Sequence, residues 1–109
     1  MSYELVLDAL GDATRRGLVD RLRHGPLAVG ELAAPLPISR PAVSKHLRIL
    51  TEAGLVTHEV AGTRRLYRLD PRGLDELRRW TEQFWTGALE GFASHVERRT
   101  RQPRERKSR

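Results

Sequence analysis

Apolar positions recur at helical spacing through most of this chain, interrupted by one stretch of alternation. Leu5, Val6, Ala9 and Leu10 mark a short amphipathic helix over Tyr3–Leu10, with these residues available for burial. Asp12 stands as the N-cap of a second helix running to about His24, with Leu18, Val19 and Leu22 inward and Gly25-Pro26 as its stop. Val29–Ala34 predicts a very short third helix, and Pro35-Leu36-Pro37-Ile38 a turn. Residues 39–53 predict a fourth helix, with Ser39 as N-cap and Pro41 in the first turn, where a missing N–H has no helical partner to lose. Gly54 suits the left-handed position that closes a helix. At about 100° per residue, Val43, Leu47 and Leu50 share one face of this helix, with Ala42 and Ile49 at its edge. Leu55–Val60 then alternates loosely, Ala61-Gly62-Thr63 supplies a turn, and Arg65–Leu69 alternates again, which predicts a β-hairpin. Asp70, followed by Pro71, begins a long last helix to about Glu97. Its Leu74, Leu77, Thr81, Phe84, Trp85, Ala88, Phe92 and Val96 recur at helical spacing, with Trp80 and Leu89 at the margins. The pattern predicts a mainly α fold with a small β-hairpin.

The polar face of the fourth helix carries Arg40, Pro41, Ser44, Lys45 and Arg48, with His46 on its border and no carboxylate before Glu52. A helix fits the DNA major groove, where such side chains meet base edges and phosphates. By itself the segment also fits an ordinary amphipathic surface helix. Its context decides: a short helix, a short turn and a capped helix with a basic face form a helix-turn-helix. The hairpin that follows is then a wing. Arg64 and Arg65 flank its tip, where they either touch sugar-phosphate or the minor groove, or remain solvated on an exposed turn. Ser39 offers its hydroxyl or backbone amide to a phosphate at the helix start.

Three runs carry a family resemblance: LGDATRRGLVDRL at 10–22, LPISRPAVSKHLRILTEAGLV at 36–56 and YRLD at 67–70. Together they resemble the ArsR-type winged helix-turn-helix repressors of bacteria, over roughly residues 3–97. The resemblance implies a homodimeric repressor that binds an inverted-repeat operator in double-stranded DNA and releases it on a signal. Metal-sensing members carry a Cys-x-Cys pair at the third helix, where this chain has Ala28 and Gly30. The family's alternative site of acidic and His residues on the last helix is not reproduced, since His95 stands alone there and His24, His46 and His58 are scattered. The chain therefore resembles the metal-free branch, and neither metal nor cofactor is expected. The effector, a small molecule or a protein partner, is not specified. The region around Trp80, Phe84 and Trp85 is the candidate place for it.

The last helix would be on the order of 40 Å long, more than a domain of this size covers. It holds both tryptophans and both phenylalanines. An apolar stripe of that extent argues for a partner helix, with Leu5, Leu77, Trp80, Phe84, Trp85, Ala88 and Phe92 as the expected dimer interface. Gly87 and Gly91 fit either a close approach of helices or a bend.

Composition refines this. The 109 residues suit one domain over 1–97, followed by a basic tail at 98–109 expected to be disordered. The formal charge of +6 comes entirely from that tail, which holds seven basic residues against Glu105, while the rest balances 13 basic and 13 acidic groups. Charge distribution is more informative: residues 36–69 carry +4 and residues 70–97 carry −3. No run approaches the roughly 18 apolar residues of a membrane span. The opening Met-Ser-Tyr-Glu lacks a basic-then-apolar signal pattern, so a cytoplasmic protein is expected. The absence of cysteine excludes disulfides and thiol redox sensing. Arg15 and Arg16 lie in the first turn of the second helix, against its dipole, and are expected to reach a phosphate, an acidic neighbour or simply solvent. Catalysis is not expected, because Ser44 and His46 point about 200° apart on a helix and cannot pair. The rival to DNA binding is a winged helix that docks a protein. The carboxylate-free face from Arg40 to Arg48 disfavours it, since a protein-docking face would be apolar or mixed in charge.

Overall fold

The computed structural model describes residues 3–101. In chain order the elements are α1 (Tyr3–Ala9), α2 (Ala13–Leu22), β1 (Leu27–Ala28), α3 (Val29–Ala33), α4 (Arg40–Glu52), β2 (Val56–Ala61), β3 (Arg64–Leu69) and α5 (Pro71–Arg101). The mainly α architecture with a hairpin wing is as the periodicity predicts, and α2 stops at Leu22 rather than near His24.

The core gathers buried residues from the first four helices and the hairpin: Val6 of α1, Leu18 and Leu22 of α2, Leu32 of α3, Val43, Leu47 and Leu50 of α4, and Val56 and Tyr67 of the hairpin. Burying each such aliphatic side chain is worth roughly 1.5–3 kcal/mol. The three residues of α4 are fully buried, so its opposite face is held outward by the packing of its inner one. Of the α1 residues expected inside, Leu5 remains 51% exposed.

Helix α4 closes as a Schellman motif. Leu55 N–H donates to the Leu50 carbonyl and Gly54 N–H to that of Thr51, both at 3.0 Å, with Gly54 at φ 80°. The same corner receives the start of α5: Asp70 N–H donates to the Leu55 carbonyl at 2.8 Å and Gly73 N–H to that of Gly54 at 3.0 Å. Buried Asp70 caps α5, its Oδ1 accepting from Arg72 N–H at 3.0 Å.

The sheet has the order β1-β3-β2 and is antiparallel throughout. Its hairpin turns on Gly62-Thr63, with Gly62 at φ 67° and Ala61 opposite Arg64. Strand β1 is not expected from the sequence. It places Leu27 opposite Tyr67 and Ala28 opposite Leu66. In β2 only Val56 is buried and everything after Thr57 is exposed, so the strand leaves the core instead of alternating along it.

The contacts divide the chain within α5: one compact unit ends at Arg78 and the other begins at Arg79. In the first, Leu74 and Leu77 pack against the core of their own chain. Leu77, one of the residues expected at the dimer seam, is partly buried there. In the second, Phe84, Trp85, Leu89 and Phe92 are 54–66% exposed, and Ala88 is exposed with them. Trp80 is half-buried and stacks on Phe84, ring centroids 5.5 Å apart. Helix α5 continues past the expected end at Glu97 to Arg101, and the remainder of the expected disordered tail lies outside the described residues. Among the described residues no helix is long and apolar enough to cross a membrane.

Candidate nucleic-acid interface

The head of α4 is built locally. Ser39 Oγ accepts from Ala42 N–H at 3.2 Å, and Pro41 occupies the first turn. Arg40, Pro41, Ser44, Lys45 and Arg48 are all exposed on the face opposite the core. The preceding helix is pinned from behind: Arg21 of α2 donates to the carbonyls of Leu32 (2.7 Å) and Glu31 (2.9 Å), at the C-terminal end of α3. A cation at that end completes carbonyls with no helical donor.

The structure brings residues predicted from separate stretches to one place. Arg40 and Ser44 of α4, Thr63, Arg64 and Arg65 of the wing, and Ala28 to Glu31 line a surface depression of about 520 Å³. The Arg40 guanidinium lies over Gly30, where an added Cβ would meet it at 3.6–3.8 Å. Lys45 and Arg48 are outside this depression, on the exposed flank of α4. Arg64 Nη2 donates to Glu31 Oε1 at 3.0 Å, and Arg68 pairs with Glu59 at 3.3 Å.

Partner assignments separate the cations. Among the described lysines and arginines up to Arg78, Arg40, Lys45, Arg48 and Arg65 lack a carboxylate or carbonyl partner, whereas every other one has a bond. All four lie on α4 or the wing. Cations left unpaired on one surface create the positive field that a phosphate backbone requires.

His46 lies at the border of that outer face. Its ring is half-buried and turned toward α2, with Nδ1 3.2 Å from Arg15 Nη1 and 3.9 Å from the Asp12 carboxylate. A guanidinium only donates, so in this contact Nδ1 is the acceptor. This contact ties α4 to α2.

Arg15 and Arg16 are both bonded within the chain. Arg15 Nε donates to the Ala9 carbonyl at 2.7 Å, and Arg16 Nη1 to that of Leu10 at 2.8 Å. Placed unfavourably for their own helix, they are placed well for the C-terminal end of α1. Asp12 accepts from Arg15 N–H at 3.0 Å, and this bond holds its carboxyl below the usual aspartate value.

Sequence reasoning missed Glu31. Its position three residues after Ala28 is a capping position, and that much is local. Its pairing with Arg64 is not. Ala28 ends β1 and Gly30 lies beneath Arg40. Among the described residues, no three His, Cys, Asp or Glu side chains form a group able to hold a metal ion.

A capped helix in a helix-turn-helix with a hairpin beside it defines a winged helix-turn-helix protein. A helix-turn-helix domain model matches residues 10–59. The chain is 60% identical over 89 residues to the HTH-type transcriptional regulator Rv2034 of Mycobacterium tuberculosis, covering 82% of this chain and 83% of that protein. It is 33% identical over 79 residues to the transcriptional repressor SdpR of Bacillus subtilis, covering 72% and 88%. The homodimeric winged helix-turn-helix DNA-binding domain of a possible ArsR-family regulator from Mycobacterium bovis superposes with a TM-score of 0.60 at 28% identity, covering 80% and 78%. The chain belongs to the ArsR-type family of winged helix-turn-helix transcriptional regulators.

Proposed function

We propose that this protein is a homodimeric transcriptional repressor acting in the cytoplasm on an inverted-repeat operator in double-stranded DNA. Helix α4 enters the major groove, with Ser44, Lys45 and Arg48 toward the bases and Ser39, Arg40 and Pro41 at the bordering phosphates. Arg64 and Arg65 act from the wing on the flanking backbone. The observation that carries this reading is that Arg40, Lys45, Arg48 and Arg65 are unpaired on one surface while the remaining described cations of the winged-helix unit are engaged. The exposed aromatic face of residues 84–92 supports a helix-to-helix dimer, as does the homodimeric relative from Mycobacterium bovis. Two-fold symmetry of the protein implies two-fold symmetry of its site. The activity is binding rather than catalysis.

The test is selection of duplex fragments from the organism's genome by the purified full chain, then affinity measurement across a salt series. Retained duplexes whose affinity falls steeply with salt support the reading. Retention of no duplex at low salt overturns it and leaves protein docking as the function.

A further inference from the structure

The depression between α4 and the wing holds one carboxylate among its cations, that of Glu31. Its Oε1 accepts from two donors at once: Ala28 N–H at 2.8 Å and Arg64 Nη2 at 3.0 Å. The first bond fixes Glu31 to the start of α3. Ala28 is itself paired with Leu66 of β3, so the carboxylate is anchored beside the strand that carries Arg64. Of the three wing arginines, Arg65 has no side-chain partner among the described residues, and Arg68 pairs with Glu59 and does not line the depression. Arg64 alone both lines it and is held.

We infer that Glu31 is a positioning residue of the DNA-binding surface, holding the Arg64 guanidinium in place for a backbone phosphate seated in the depression. This rests on the DNA-binding reading above. The side chains of Arg64 and Glu31 are 56% and 52% exposed, and an ion pair so exposed adds little to folding. Its consequence lies in binding. An arginine has five N–H donors in a rigid fork, and the contact with Glu31 uses Nη2. The remaining donors can meet phosphate oxygens from a side chain whose rotamers are already restricted, which lowers the ordering cost of association. The opposite role would have the same pair in place but another sign: if Glu31 chiefly repelled phosphate, neutralising it would tighten binding.

Glu31→Gln separates the two. Glutamine keeps an oxygen for Ala28 N–H, so folding stability stays close to wild type, whereas Glu31→Ala also removes the cap. The probe is a duplex recovered by the genomic selection, titrated with full-length protein over a salt series. Glu31→Gln is expected to weaken binding about two- to tenfold. Arg64→Ala is expected to weaken it and to lower the salt slope by about one. The double variant should bind no more weakly than Arg64→Ala alone. Unchanged or tighter binding by Glu31→Gln overturns the inference, as does a loss that persists without Arg64. If wild type binds but Arg64→Ala leaves affinity and slope unchanged, only this inference fails. If wild type retains no duplex, the DNA-binding reading fails first.

Discussion

Arg15 and His46 join the first two helices to the recognition helix. Arg15 Nη1 lies 3.2 Å from His46 Nδ1, while Nε of the same guanidinium holds the Ala9 carbonyl at the end of α1. One planar side chain thus spans three helices: it belongs to α2, completes α1 and braces α4. A rigid fork of donors suits this better than an ammonium, which is a point charge without fixed directions.

Arg15→Ala should therefore lower unfolding free energy by about 1–3 kcal/mol, because partly buried acceptors lose their donor. Arg15→Lys should recover only part of it. Urea denaturation measures both, and wild-type stability in the alanine variant would contradict the bracing role.

Gly73 and Gly17 should respond to alanine with opposite signs. A Cβ on Gly73 would stand 2.2 Å from the Gly54 oxygen, and retreat would break the Gly73 N–H bond to that same carbonyl. Overpacking of this kind costs about 1–3 kcal/mol or more. Gly17 lies exposed within α2 with no atom within 4 Å of an added Cβ, so alanine there should stabilise by up to about 1 kcal/mol. Thermal melts of the two variants read the difference directly.

Acid should act partly through Asp70. The Arg72 guanidinium bonded to its carboxylate holds it below the ordinary value of 3.8. A folded-state value below the unfolded one means the stabilisation is complete above about pH 4 and is lost as pH falls toward the folded value. Asp70→Asn keeps a capping oxygen but cannot titrate. Melting temperature should fall less steeply below about pH 4 in this variant than in wild type, and parallel profiles would exclude Asp70 as a source of acid sensitivity.

Lys45→Ala and Arg48→Ala should each cost about 1–3 kcal/mol of affinity for the selected duplex. Arg68→Ala should change affinity little, since Arg68 is engaged by Glu59 and lies outside the depression. Equal losses in all three variants would point to a diffuse charge effect rather than the surface described above.

Trp85→Glu or Phe92→Glu should yield monomers or aggregates, because each puts a carboxylate on an apolar face now 56% and 66% exposed. Light scattering at micromolar concentration tests this. A wild-type monomer would count against the dimer.

The recognition helix was legible in the sequence because its determinants are local. Ser39 reaches three residues ahead, Gly54 closes the turn just behind it, and Val43, Leu47 and Leu50 share a face by helical geometry alone. The hairpin was legible for the same reason, through Gly62. Strand β1 was not: two residues carry no period, and Leu27–Ala28 pair because β3 has an edge free beside them. Nor does periodicity say which neighbour covers a stripe: Leu74 and Phe84 share one, yet Leu74 packs against the core while Phe84 is 54% exposed. Charged side chains were the least legible. Arg15 meets His46 across 31 positions and Arg64 meets Glu31 across 33. A long flexible cation can satisfy a phosphate, a carboxylate or a helix end equally well in sequence terms. Only the folding back of the chain decides which partner lies within about 3 Å.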